Sequence, residues 1–149
     1  MSMNCCTLED ADEARKAAYR RDALRPYLGR VIPMVGRFYR AEHGGFDGPH
    51  APYKAGWCRF TDVYLFARDP SQRVFLTDHL NLCFEHLTAS RVFPRNLRRK
   101  RLYILAGRIQ AYPRTPERLG VQIVNLPNGL LPVCELGAYN DCYARLLSA

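Results

Sequence analysis

The stretch Arg98-Arg99-Lys100-Arg101-Leu102-Tyr103-Ile104-Leu105-Ala106-Gly107-Arg108-Ile109-Gln110-Ala111-Tyr112 joins four consecutive cations to an apolar run interrupted by one glycine. Adjacent cations repel one another and resist burial, so they mark either a solvated loop or a surface that meets a polyanion. The β-branched and aromatic content that follows predicts a strand over 102–112. A polar loop, Pro113 to Gly120, and a second apolar run, Val121 to Leu126, complete a predicted hairpin. A period of two puts Arg108, Gln110 and Tyr112 on one face of the first strand and Ile109 and Ala111 on the other.

Upstream, Thr7 to Leu28 reads as a helix. Thr7 can cap it, Glu9, Asp10, Asp12 and Glu13 lie at its start, and basic residues follow from Arg15 to Arg25, an order that suits the helix dipole. Its apolar stripe is thin, which predicts a helix lying on the domain surface. Arg30 to Arg40 reads as a first strand, with Pro33 and Gly36 as irregularities. Ala41 to Gly56 holds four glycines and two prolines and reads as a long loop. Trp57 to Phe66 and Arg73 to Thr77 form a second and a third strand, joined by the turn-like Asp69-Pro70-Ser71. Leu80, Cys83, Phe84 and Leu87 stand at helical spacing, predicting a short helix over Asp78 to Leu87. The tail from Pro127 ends in a short helix, Tyr139 to Leu147.

The predicted order is a helix, three strands, a short helix and two strands, with the helical tail after them. This resembles the oligonucleotide/oligosaccharide-binding (OB) fold, a mainly β, five-stranded, partly open barrel with its helix between the third and fourth strands. The resemblance spans about Arg30 to Leu126 and is carried most by Ile104 to Tyr112 with Gly120-Val121-Gln122-Ile123. It implies an N-terminal helix over 1–29, an OB-like barrel over 30–126 and a tail over 127–149. It also implies a ligand face on the second and third strands, flanked by the loops that follow the first and fourth. Tyr27-Leu28-Gly29 and Asp78-His79-Leu80 are loosely similar to segments of small uncharacterised bacterial proteins, which brings no activity with it.

The 149 residues fit one domain, and 48% hydrophobic with 24% charged residues is the balance of a chain that folds by itself. A net charge of +8 favours anionic partners. The start of the chain lacks a basic segment followed by an apolar core, and no window is apolar for long enough to span a bilayer, which predicts a cytoplasmic protein with no membrane contact. Six cysteines without a C-x-x-C pair read as reduced thiols, not as a zinc ribbon. His79 and His86 lie two turns apart on the predicted helix, about 10 Å, too far to share one ion. No metal or other cofactor is expected.

Cations interleaved with aromatic rings are the pattern of a single-strand binder, in which guanidinium and ammonium groups meet phosphates and rings stack bases. It occurs at Arg37-Phe38-Tyr39-Arg40, at Trp57-Cys58-Arg59-Phe60 and at Arg108 to Tyr112. The candidate nucleic-acid-binding residues are Arg37, Tyr39, Arg40, Trp57, Arg59, Arg98, Arg99, Lys100, Arg101, Arg108, Tyr112 and Arg114, with Lys54, Arg91, Arg95 and Arg118 extending the same surface. The bland alternative makes the rings core and the cations ordinary surface. Catalytic motifs are missing: the sequence has no nucleophile elbow, no phosphate loop and no H-E-x-x-H. The sequence therefore predicts a non-enzymatic protein that binds single-stranded DNA or RNA. Its rivals are an interaction module docking on an acidic protein and, behind it, a nuclease.

Overall fold

The computed structural model describes residues 7–43, 56–83, 97–124, 126 and 130–148. Helix α1 spans Leu8–Arg20, and a 3-10 helix covers Asp22–Tyr27. Six strands follow: β1 Val31–His43, β2 Gly56–Leu65, β3 Phe75–Cys83, β4 Leu102–Ala111, β5 Leu119–Ile123 and β6 Val133–Glu135. Helix α2, Asp141–Ser148, ends the chain. The strands form one antiparallel sheet in the order β3-β2-β1-β4-β5, with β6 also paired to β4. Among the described residues no helix is long and apolar enough to cross a membrane.

The mainly β class and the flanking helices agree with the sequence, but the sheet has six strands and does not close into a barrel. β3 and β5 lie against one another at its two ends without a shared ladder. The predicted helix over Asp78 to Leu87 is a correction: Phe75–Cys83 is strand, and 84–87 lie outside the described residues. Leu80 and Leu82 are fully buried opposite Phe60 and Cys58, so burial follows a period of two through a segment whose spacing also suits a helix. The predicted loop after the first strand shrinks because Ala41–His43 extend β1 and Gly56 begins β2; 44–55 lie outside the described residues. The single predicted N-terminal helix is broken at Arg21, and β6 had no counterpart in the sequence reading.

Alternating residues build the core. Ile32, Met34 and Phe38 of β1, Cys58 and Phe60 of β2, Leu80 and Leu82 of β3, Leu105 and Ile109 of β4, and Leu119 and Ile123 of β5 line the inner face, and Leu24 of the 3-10 helix plugs it. On the outer face Val35, Ile104 and Ala106 are covered by Tyr143 of α2 with Phe66. The Tyr143 hydroxyl donates to the Leu131 carbonyl at 2.5 Å, which anchors that cover. Gly107 stands where β4 passes from its pairing with β1 to its pairing with β5. A Cβ there would collide with Val121 Cγ1 and lie 3.0 Å from the Gln122 carbonyl oxygen.

Arg21 joins the two sheet edges. It ends α1 in the left-handed region at φ 56, and its backbone N–H caps the helix at the Ala17 and Ala18 carbonyls. Its side chain is only 1% exposed. Nε donates to the His79 carbonyl of β3 at 3.2 Å, and Nη1 donates to the Leu119 carbonyl of β5 at 3.0 Å and to the Tyr112 hydroxyl at 3.2 Å. Burial lowers the pKa of this guanidinium, while Tyr112 acts against the shift. α1 itself has no buried residue, so the sheet is contacted by the 3-10 helix and Arg21 far more than by the helix before them.

Arg21→Gly keeps a residue suited to the left-handed turn yet removes the bridge between β3 and β5. It should lower the unfolding free energy by about 3 kcal/mol in urea titration; wild-type stability would overturn the assignment of this arginine as the link. Gly107→Ala should destabilise by about 2 kcal/mol or more by the same measurement, because β5 has to move away.

Candidate functional site

Two bulges shape the outer face beyond the edge of α2. On β2 the register slips between the pairs Val35↔Tyr64 and Arg37↔Thr61, where Asp62 takes a φ of 52. On β1 it slips again between Phe38↔Phe60 and Arg40↔Arg59, leaving Tyr39 as the extra residue. A bulge shifts the alternation of the strand that carries it. Tyr39, next to the buried Phe38, faces outward by alternation and is 39% exposed; the extra residue keeps Arg40 exposed on that same face, where regular alternation would turn it inward.

The four-cation segment is a tight turn docked on the same part of β1. Arg101 N–H donates to the Arg98 carbonyl at 3.2 Å, and Lys100 sits in the left-handed region at φ 70. Lys100 N–H donates to the Phe38 carbonyl at 2.8 Å, Phe38 N–H donates to the Arg101 carbonyl at 3.0 Å, and Arg37 Nη1 donates to the Lys100 carbonyl at 2.7 Å. From below, the nearly buried Tyr103 accepts the Arg98 N–H on its hydroxyl at 2.7 Å. The Tyr103 ring stacks edge-on with Phe38 and Phe60, at centroid distances of 6.5 and 6.1 Å. The turn is therefore fixed to a packed aromatic trio.

As a result, the Arg99 guanidinium carbon lies 5.3 Å and that of Arg40 5.9 Å from the Tyr39 ring centroid. Arg40 pairs across the sheet with Arg59, and Arg59 with Asn81. Arg59 Nε donates to Asn81 Oδ1 at 2.9 Å. A second row runs Arg37, Thr61, His79. Burial lowers the pKa of His79, with Asp78, 2.8 Å from its Nδ1, acting against the shift. Arg98, Arg99, Lys100 and Arg101 are all exposed, and among the described residues no carboxylate pairs with them. By contrast, Arg15, Lys16, Arg20 and Arg25 at the N-terminus are paired with Asp12, Glu13 and Asp22 at 2.8 to 3.6 Å.

Eight of the sequence candidates thus share one surface: Arg37, Tyr39, Arg40, the turn Arg98, Arg99, Lys100 and Arg101, and Arg59 on the adjoining strand. Trp57 stands one row further along β2, paired with Glu42 and Cys83; its side chain lies outside the described residues. Lys54, Arg91 and Arg95 also lie outside them. The remaining candidates are elsewhere. Arg108 pairs with Val31 and Gln122, seven residues along β4 from Arg101, a separation of about 20 Å. Arg114 is exposed in the loop beyond it. Tyr112 lies between Arg21 and Arg118, 5.8 and 5.6 Å from their guanidinium carbons, with its ring against Gly120. Arg118 also donates to the Tyr19 carbonyl at 3.0 Å, so this cluster staples the end of α1 to the sheet. Asn81 and Thr61 were missed by the sequence reading, because 78–87 was read as helix and Thr61 carries no charge.

Comparison with family models, curated proteins and solved structures finds no match to this chain. Tyr103→Phe tests how the turn is held. It should cost about 1 kcal/mol and speed amide exchange at Arg98 and Lys100 while core strand amides keep their protection; unchanged exchange at the turn would show that the hydroxyl does not anchor it.

Proposed function

We propose that this chain is a binding protein for single-stranded nucleic acid, DNA or RNA, and that the strand lies across the outer face at Tyr39. The observation that carries this reading is the exposed Tyr39 ring, flanked by the guanidiniums of Arg99 and of Arg40, which the bulge keeps on the same face. A single strand offers phosphates and unstacked bases together, and this surface offers cations and an aromatic face within one side chain's reach of each other. The turn adds cations that have no carboxylate partner among the described residues, which suits counterion release by a polyanion. The strand order supports reading the sheet as an OB-like barrel opened along one seam: β1 pairs with both β2 and β4, and the free edges β3 and β5 are linked by Arg21. The face of β2 and β3 is the ligand side of such a barrel.

Fluorescence anisotropy with a labelled oligonucleotide of about twelve residues tests the reading. With about four phosphates neutralised, affinity should fall about 50-fold between 50 and 200 mM salt, using the single-strand slope of about −0.7 per contact. Tyr39→Ala should weaken binding about tenfold or more with the salt slope unchanged, since stacking is lost and charge is kept. Arg99→Ala should flatten the slope by about 0.7. Affinity indifferent to salt and to both substitutions would sink the reading. An absence of binding at low salt would favour an acidic protein partner, and cleavage that needs a divalent cation would make the chain a nuclease.

A further inference from the structure

Across β1, β2 and β3 one row of the outer face reads Arg40, Arg59, Asn81. It lies opposite the buried Cys58, Phe60, Leu80 and Leu82, beside the bulge that puts Arg40 on the same face as Tyr39. The orientation of the Asn81 amide is fixed by chemistry: an arginine Nε–H can only donate, so the atom 2.9 Å from it has to be the amide oxygen. That leaves the amide nitrogen pointing away from Arg59. Among the described residues no acceptor meets it. It is not sealed in the interior either, since the one described side-chain nitrogen or oxygen both buried and without a partner is Arg21 Nη2. Asn81 thus turns its oxygen toward Arg59, with one lone pair taken up, and leaves its two amide N–H donors unengaged among the described residues, on a half-exposed side chain.

We infer that Asn81 is a base-reading residue that selects a keto group over an amino group, so that a thymine or uracil is preferred to a cytosine at this position. This rests on the proposed function and names the class of strand that the same surface takes. Thymine and uracil carry an acceptor, O4, where cytosine carries the N4 amino donor; the two pyrimidines otherwise stack alike on a tyrosine ring. An amide whose oxygen is turned toward Arg59 offers the first its unengaged N–H donors, and offers the second only the remaining lone pair of an oxygen already held by a cation. Without Arg59 the amide could rotate and accept from cytosine, so the arginine acts as a positioning residue for the asparagine.

The test compares labelled oligothymidylate and oligodeoxycytidylate of equal length at low salt, with wild-type protein and with Asn81→Ala. The expected result is about five- to tenfold tighter binding of oligothymidylate by the wild type, the worth of one hydrogen bond made against one left unmade. Asn81→Ala should bring the ratio to about one while oligodeoxycytidylate affinity and the salt slope stay as they were. Asn81→Asp should turn the ratio toward cytosine, because a carboxylate paired to Arg59 offers an acceptor. Equal binding of the two strands by the wild type, or a ratio that survives Asn81→Ala, overturns the inference and leaves the binding surface standing. Failure of both strands to bind the wild type overturns the proposed function itself. The wild-type comparison needs no substitution, so a variant that failed to fold would not shield the inference.

Discussion

One guanidinium holds the two ends of this sheet together. β3 and β5 approach each other without a ladder, and Arg21 supplies what strand pairing would have supplied, donating to one backbone carbonyl on each edge. A charge so deeply buried is unfavourable unless its donors are met, and among the described residues no carboxylate bonds it directly; two carbonyls, the Tyr112 hydroxyl and the Tyr112 ring share that role. The left-handed backbone at Arg21 costs about 1–2 kcal/mol in a residue with a Cβ, yet it turns the chain from α1 into the 3-10 helix that seats Leu24 in the core. One residue caps the helix, turns the chain and bridges the seam. Its Nη2, buried without a partner among the described residues, is what that compromise leaves over: three of the five N–H groups find acceptors, on two backbone carbonyls and a hydroxyl.

The outer face owes its division to coverage and curvature. α2 and Tyr143 cover the middle of β1 and β4 at Val35, Ile104 and Ala106, which makes that part a second core. Beyond it, the bulges at Asp62 and Tyr39 increase the bend of β1 and β2 and lift polar residues out of the alternation. The basic turn then adds a hydrogen-bonded pair beyond the β1–β4 ladder, at Phe38, so cations next to one another in sequence also become neighbours of residues sixty positions earlier. Their mutual repulsion is endured because each backbone group of the turn that faces β1 or Tyr103 is bonded, while the side chains remain in water.

The sequence made the strong elements legible and hid the ones that depend on partners far along the chain. The strand around Phe60 was readable from alternating apolar and polar residues and the one around Leu105 from a continuous apolar run, and Gly107 was visible as an interruption, though only the folded chain brings Val121 to where its Cβ would be. Leu80 fits a helical period with Cys83 and a strand period with Leu82 over so short a span; the length of β2, which needs a partner as far as Trp57, decides for the strand. Arg21 was hidden in a helix rich in arginine, where nothing local separates the one that turns inward from Arg20, which pairs with Asp22 in solvent. At the candidate surface, the interleaved Arg-Phe-Tyr-Arg was read from pattern, but a bulge cannot be, and it is the bulge that puts Arg40 on the same face as Tyr39. Tyr112 carries the same composition signal and has a different setting, since Arg118 and Gly120 come to it from the next strand.

Seam and surface meet on one strand. β3 is a sheet edge, bonded on one side to β2, and its other side is held at the His79 carbonyl by Arg21. Two residues further on, Asn81 faces Arg59 across the ladder, on the row that leads to Arg40 and Tyr39. An edge strand with one free flank frays more readily than an inner strand, so the precision with which Asn81 meets Arg59 depends on what restrains the free flank. The restraint comes from the buried arginine, on the flank of β3 away from β2. The same physical device that replaces the missing β3–β5 pairing therefore also stiffens the strand on which the outermost polar row is built.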